Sequence, residues 1–376
     1  MKPISRERLF EQIRNRIAAK EKNAIQVKTE SVLSVALAFP NSYAVGMANL
    51  GFQSVYRIFN EFTEVRCERA FFDRSFPVRT RTIESGNELR YFDVVAFSIS
   101  FELDIPNVVK FLSEAGIEPV AAERDEREPF VILGGTASFM NPGPLSLFAD
   151  VMVLGEFEPV SDFLVDALLK YREKRLSRFQ LLELLASSPG FYVPCFNHSD
   201  FRIEKIHADL KQMSPQYSVI RSADSHFRDM FLLEVGRGCG RRCRFCAASH
   251  IYHPYRIFST GKIIETVDQH AGDAKKIGLI GAALSDYPGL LDLCRTLAAK
   301  NYELGLSSFR LDMITPEFLE IFERANVNSI AFAPEAGSER MRKIINKNLS
   351  HEVILQAAHS LSESKINHIK FYFMIG

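Results

Sequence analysis

Two runs of short β-rich segments alternating with helix-period segments constrain this chain more than any other feature. Such alternation buries strands on both faces when they run parallel and are joined by covering helices. The first run begins at Ser31. Its expected strands are Val32 to Phe39, Val65 to Phe71, Val94 to Ile99, Phe130 to Leu133 and Val151 to Leu154, with helices at Gly51 to Phe62, Ile105 to Ala115 and Pro144 to Phe148. Five strands in about 125 residues predict a doubly wound, Rossmann-like domain. Before it, residues 1–30 form a charged helical extension with Leu9, Ile13 and Ile17 on one face. After a helix at Pro159 to Arg172, a mixed segment over 176–228 reads as a connector with minor strands. The second run has strands at Phe231 to Gly236, Lys276 to Gly281, Glu303 to Ser308, Ser329 to Ala333 and His368 to Ile375. Helices separate them near Thr260 to Ala271, Pro288 to Lys300, Pro316 to Ala325 and His351 to Ser362. Thr315 before Pro316, and Ser350, mark helix starts. The regular spacing predicts a β/α barrel or part of one over 229–376. The sequence stops on the fifth strand, and an uncovered edge there predicts a truncated chain or a covering partner.

Composition narrows the setting. Apolar residues make up 47% and charged residues 24%, which excludes a disordered, collagen-like or disulfide-rich chain. Lys plus Arg and Asp plus Glu each number 46, so no global field draws the chain to nucleic acid or to an anionic membrane. The longest apolar stretches, such as Val94 to Phe101, fall short of the ~18–20 residues of a membrane span. Met1 to Ile17 lacks the apolar run of a signal peptide. The expected compartment is the cytosol, where six cysteines, three of them within eight residues, read as metal binding or redox chemistry.

Those three lie in Gly236-Arg-Gly-Cys239-Gly-Arg-Arg-Cys243-Arg-Phe-Cys246, directly after the first strand of the second run. Thiolates spaced CxxxCxxC in a Gly-rich loop can bind three irons of a cubane. The fourth iron then stays open to an external ligand, whereas an electron-transfer cluster uses four cysteines. Arg237, Arg241, Arg242 and Arg244 are expected to lower the thiol pKa values and to offset the cluster's negative charge. The competing site is a zinc tetrahedron of Cys239, Cys243, Cys246 and His250. Cys67, Cys195 and Cys294 read as small buried hydrophobes.

The segment from about Asp229 to Gly376 resembles the radical S-adenosylmethionine (radical SAM) superfamily, whose hallmark is CxxxCx(aromatic)C after the first barrel strand, with Phe245 here as the aromatic. The resemblance implies a partial (β/α)6 barrel lacking its last strand. It also implies a [4Fe-4S] cluster on Cys239, Cys243 and Cys246, and SAM chelating the open iron. Further SAM contacts implied by resemblance fall at the strand ends. Gly281-Ala282-Ala283 takes the place of a glycine-rich motif for the methionyl group, without the acidic residue frequent in the family. Ser307, Ser308 and Arg310 are expected at hydroxyl and carboxylate groups. Glu335 is expected at the ribose, with Ser338 nearby. Phe373-Met-Ile-Gly376 resembles the motif whose backbone meets adenine. Each strand-end residue has a plain alternative as a helix cap or turn.

The amino-terminal domain, placed before such a core, resembles the cobalamin-binding architecture of the same superfamily. The features that carry the likeness are the loop Asn41 to Asn49, including Tyr43 and Gly46, Gly134-Gly135-Thr136, and Gly155-Glu156. Strand-end glycines permit close approach of a bulky cofactor. The lower-ligand motif DxHxxG is absent, so bound cobalamin would lack a protein imidazole. The alternative is a scaffold of the same fold without the cofactor. Together the resemblances imply a radical SAM enzyme that cleaves SAM to a 5′-deoxyadenosyl radical, with cobalamin-dependent methyl transfer to an unknown substrate as the outcome. An electron donor such as flavodoxin or ferredoxin is implied as partner. The competing class is a non-catalytic scaffold with structural zinc, or an inactive remnant.

Overall fold

The computed structural model describes residues 5–197, 204–306, 309–327 and 329–375. The chain divides into two compact units, one of Met1–Ala208 with Val219–Arg228, the other of Asp209–Ser218 with Asp229–Gly376.

The first unit is a six-stranded sheet of β1 (Leu33–Phe39), β2 (Val65–Phe71), β3 (Val94–Ser98), β4 (Phe130–Gly134), β5 (Val151–Val153) and β6 (Phe191–Tyr192), in the order β2-β1-β3-β4-β5-β6. The first five are parallel, and β6 closes the edge antiparallel to β5. Every residue of β1 is buried, as expected of a parallel strand covered on both faces. Its alternate side chains divide between two cores. Leu33, Val35, Leu37 and Phe39 face one, and Ala36 and Ala38 face the other. The strand order reverses between β1 and β3, which makes the carboxyl ends of those strands the natural crevice of this sheet.

Several expectations shift. The first helix, α1, is Arg6–Lys20, capped by Ser5, and it buries Phe10 and Ile17 with Ile13 alongside. Ile13 and Ile17 thus lie on the inward face as expected, while Leu9 is exposed and Phe10 takes its place. No helix forms at Pro144 to Phe148. Pro142, Gly143 and Pro144 allow one 3₁₀ turn, Gly143–Leu145, and the helical turn after β4 comes earlier at Thr136–Met140. The segment read as a connector carries a helix, Arg178–Ala186, opened by a Ser177–Gln180 capping box and burying Leu181 and Leu185. Of the three cysteines read as buried, Cys67 and Cys294 are, and Cys195 is exposed.

The second unit holds β7 (Phe231–Glu234), β8 (Lys276–Ile280), β9 (Glu303–Leu306), β10 (Ser329–Glu335) and β11 (His368–Phe373). β7, β8 and β9 are adjacent and parallel in sequence order, and β10 pairs parallel with β11. Between the two sets, the Phe309 amide donates to the Ala331 carbonyl at 3.0 Å. Helices Thr260–His270, Leu290–Ala299, Pro316–Arg324 and His351–Ser362 follow successive strands, as expected of a partial barrel. Thr315 and Ser350 cap their helices as predicted. An unforeseen helix, Glu339–Ile344, follows β10. No helix among the described residues is long and apolar enough to cross a membrane.

Candidate active site

The cysteine loop leaves β7 through Gly236–Arg237, which pairs antiparallel with Arg256–Ile257 and so closes the loop at its base. Cys243 is buried, and Cys239 and Cys246 are half-buried. The Arg241 amide donates to Cys239 Sγ at 3.4 Å, and the Cys246 amide to the Cys243 carbonyl at 3.1 Å. Three of the four arginines of the loop are engaged away from the thiols. Arg237 pairs with Glu234 at 2.8 Å, Arg241 turns to Asp286, and Arg244 donates to the Ile344 carbonyl at 2.6 Å. Burial pushes the Cys239 thiol up, and the Arg241 amide offsets this only in part. These guanidiniums are drawn to the carboxylates of Glu234 and Asp286 and to the Ile344 carbonyl rather than to the thiols.

Two braces hold the loop. Its first half is tied through Arg241, whose Nε donates to Asp286 Oδ2 at 2.8 Å and whose Nη2 donates to Oδ1 at 2.6 Å. Arg241 Nη1 also lies 3.7 Å from Asp312 Oδ2. Asp312 in turn receives the Nε and Nη2 of Arg310 at 2.8 and 2.7 Å. Burial opposes ionisation of Asp312, but the two arginines outweigh it and hold its carboxyl below the usual range. The second half is tied to the turn after helix Glu339–Ile344. The Arg244 amide donates to the Ile345 carbonyl at 3.0 Å, and Asn346 Nδ2 to the Arg242 carbonyl at 2.8 Å. In the same turn, Lys347 Nζ lies 5.9 Å from the centre of the Phe245 ring and 3.4 Å from Glu335 Oε1.

The other residues expected at the site lie as follows. Gly281 follows β8 half-buried, with Ala282 exposed in the turn before Asp286. Glu335 ends β10 with a φ of 68°. Its loop is held by the buried Arg342, which donates to the carbonyls of Ala336, Gly337 and Leu349. Ser338 is a helix cap, its Oγ accepting from the Met341 amide at 3.3 Å. Ser307, Ser308 and Gly376 lie outside the described residues. Asp286, Asp312, Asn346 and Lys347 were missed by sequence reasoning. Single polar residues in turns after strands or helices carry no motif of their own.

Three thiols on one eight-residue loop are the donor chemistry of a cubane with an open iron. Among the described residues no group of three or more His, Cys, Asp or Glu is drawn together as a metal site, and this holds for the three cysteines with or without His250.

At the carboxyl edge of the first unit's sheet, two of the glycines are required by the chain's own packing. A Cβ on Gly135 would lie 2.6 Å from the Ile99 carbonyl oxygen, and one on Gly155 2.3 Å from that of Ile206. Both are positive-φ positions where the chain's own backbone makes the close approach. Gly46 is pressed against the Phe71 ring, and Gly134 is the open one of the set. Glu156 Oε2 accepts from the Ala208 amide at 2.8 Å. Tyr43 is buried, its hydroxyl donating to Glu21 Oε1 at 2.7 Å, and burial with that carboxylate pushes the hydroxyl up. The polar groups at the strand-order reversal are others. Asn41 Nδ2 donates to Asp104 Oδ1 at 2.8 Å and Asn49 Nδ2 to Ser100 Oγ at 2.8 Å. Asp104 is 4% exposed and its Oδ2 has no partner among the described residues.

Two family models match: one described as radical SAM proteins, N-terminal, over residues 51–194, and one as the radical SAM superfamily over 233–376. The chain belongs to the radical SAM superfamily. Membership implies a [4Fe-4S] cluster and SAM as cofactors. A protein of Methanocaldococcus jannaschii is 25% identical over 349 residues, covering 92% of this chain and 70% of that one. Two solved radical SAM enzymes share the fold. The cobalamin-dependent enzyme OxsB, with aqua-cobalamin and S-adenosylmethionine bound, has a TM-score of 0.57 and 16% identity over 92% of this chain. The methyltransferase TsrM of Kitasatospora setae, with cobalamin and a [4Fe-4S] cluster bound, has a TM-score of 0.60 and 14% identity over 90% of this chain. The chain spans half the length of OxsB and 69% of TsrM.

Proposed function

We propose that this chain is a radical SAM enzyme in which Cys239, Cys243 and Cys246 hold a [4Fe-4S] cluster, and that it acts with cobalamin in methyl transfer. The observation that carries the reading is the thiol-bearing loop at the carboxyl end of β7, braced to the turns after β8 and β9 and to the turn after helix Glu339–Ile344. When bound and reduced, the cluster supplies the electron that cleaves the sulfonium of SAM to a 5′-deoxyadenosyl radical. The chain's own residues bind and orient. Arg310 uses its Nε and Nη2 on Asp312, which leaves the Nη1–Nη2 edge for the SAM carboxylate. The turn at Gly281, Ala282 and Ala283 offers backbone carbonyls to the ammonium. Glu335, with Lys347 beside it, accepts from the ribose hydroxyls, and Ser307 and Ser308 are assigned to the same nucleoside. The electron donor is a small redox protein such as flavodoxin or ferredoxin.

Cobalamin is assigned to the carboxyl edge of the first sheet. What supports this is a polar lining with a spare acceptor at Asp104, next to the exposed apolar side chains of Phe101 and Leu103, suited to an apolar macrocycle with amide arms. Asn41 to Asn49 contains no histidine, so no imidazole from that loop meets the cobalt. Purification with added hydroxocobalamin tests the assignment. Corrin absorption should co-elute with the protein and be lost in Leu103→Glu, while iron content is unchanged, since Leu103 is 90% exposed and contributes nothing to the core. Absence of corrin from the unsubstituted protein contradicts it.

A further inference from the structure

Arg241, Asp286, Asp312 and Arg310 form a chain of alternating charge across three elements: the cysteine loop, the 3₁₀ turn Leu284–Asp286 after β8, and the turn Leu311–Met313 after β9. The two ends are distinct in kind. Arg241 stands between Cys239 and Cys243, and its amide touches Cys239 Sγ. Arg310 is the residue assigned to the SAM carboxylate, and its amide is fixed by Ser285 Oγ at 2.9 Å, one residue from Asp286. Each aspartate accepts from two nitrogens of one guanidinium. A two-nitrogen contact fixes the plane of the fork as well as its position.

We propose that Asp286 and Asp312 are positioning residues that hold the cysteine loop, through Arg241, in fixed relation to Arg310. Asp286 sets the loop. Asp312 sets the Arg310 fork and shares Arg241 with Asp286. Neither aspartate touches cluster or substrate. The inference about Arg310 rests on the functional reading above, and the inference about the loop does not.

The test is alkylation of the metal-free full chain with iodoacetamide, read cysteine by cysteine by mass spectrometry, in the unsubstituted protein and in Asp286→Asn. Cys239 should react about fivefold faster in the variant, the factor for ~1 kcal/mol, the upper end for a partly exposed ion pair. Cys294, fully buried in the same unit, should react as before. Unchanged labelling of Cys239, or equal acceleration of Cys294, overturns the loop assignment. This readout needs neither cluster nor SAM, so it stands if the enzymatic reading fails. For Arg310, reconstituted Asp312→Asn should retain wild-type iron and lose about tenfold in SAM affinity, as expected when a fork loses its orienting partner. Equal SAM affinity in variant and wild type overturns the Arg310 assignment. A wild type that takes up iron but binds no SAM removes it together with that part of the reading.

Discussion

At the carboxyl end of β3, the Asp104 carboxyl is buried with one oxygen unpartnered, and burial pushes its pKa up, opposed by the single hydrogen bond from Asn41. A carboxyl whose folded-state pKa is raised prefers the protonated form in the native protein. Below the ordinary aspartate range both states are protonated and the residue costs nothing; as pH rises through the raised value, the native state loses stability relative to the unfolded chain. Asp104→Asn keeps the oxygen that Asn41 reaches and removes the charge. Thermal unfolding should therefore show the variant more stable than wild type at pH 7.5, with the difference closing toward pH 4. An unchanged or lower melting temperature at pH 7.5 would mean that the carboxylate is satisfied in the native protein. A fold that retains such a group at its sheet crevice carries a spare acceptor suited to a ligand with N–H donors.

Among the elements, the turn after helix Glu339–Ile344 does what no strand-end motif predicted, because it holds the second half of the cysteine loop through Arg244 and Asn346. Asn346→Ala removes the hydrogen bond to the Arg242 carbonyl and, within its own turn, the one Asn346 Oδ1 accepts from Asn348. Alkylation of Cys246 in the metal-free protein should quicken roughly threefold, the effect of ~0.5–1 kcal/mol, with Cys239 much less affected, since Asp286 braces that side. Equal change at both thiols would show one rigid loop rather than two separately braced halves. The elements that were legible in the sequence are those with a strong local pattern: the continuous apolar run of β1, the Thr315-Pro316 start and the Ser350 cap. The helix Arg178–Ala186 was hidden because its apolar and polar residues are weakly segregated, although Ser177 and Gln180 gave its capping box. The three thiols were legible from spacing alone. Asp286, Asp312 and Lys347 were not, because each acquires its partner only when separate strand ends converge.

At the scale of the whole molecule, a doubly wound sheet and a partial parallel barrel stand in sequence, the arrangement shared over nine-tenths of the chain with two solved cobalamin-dependent radical SAM structures. Neutral overall charge is consistent with a protein whose charged groups are spent locally, as the Arg241–Asp286–Asp312–Arg310 chain shows. The proposed function requires that the loop at the end of β7 carry a cluster that reduces SAM. Anaerobic reconstitution followed by iron and sulfide analysis, with an assay for 5′-deoxyadenosine formed from SAM under a strong reductant, tests it most directly. About four irons and four sulfides per chain are expected, with 5′-deoxyadenosine formed by the unsubstituted protein and none by Cys243→Ala. Zinc in place of iron, or a fully loaded cluster that leaves SAM intact, would contradict it.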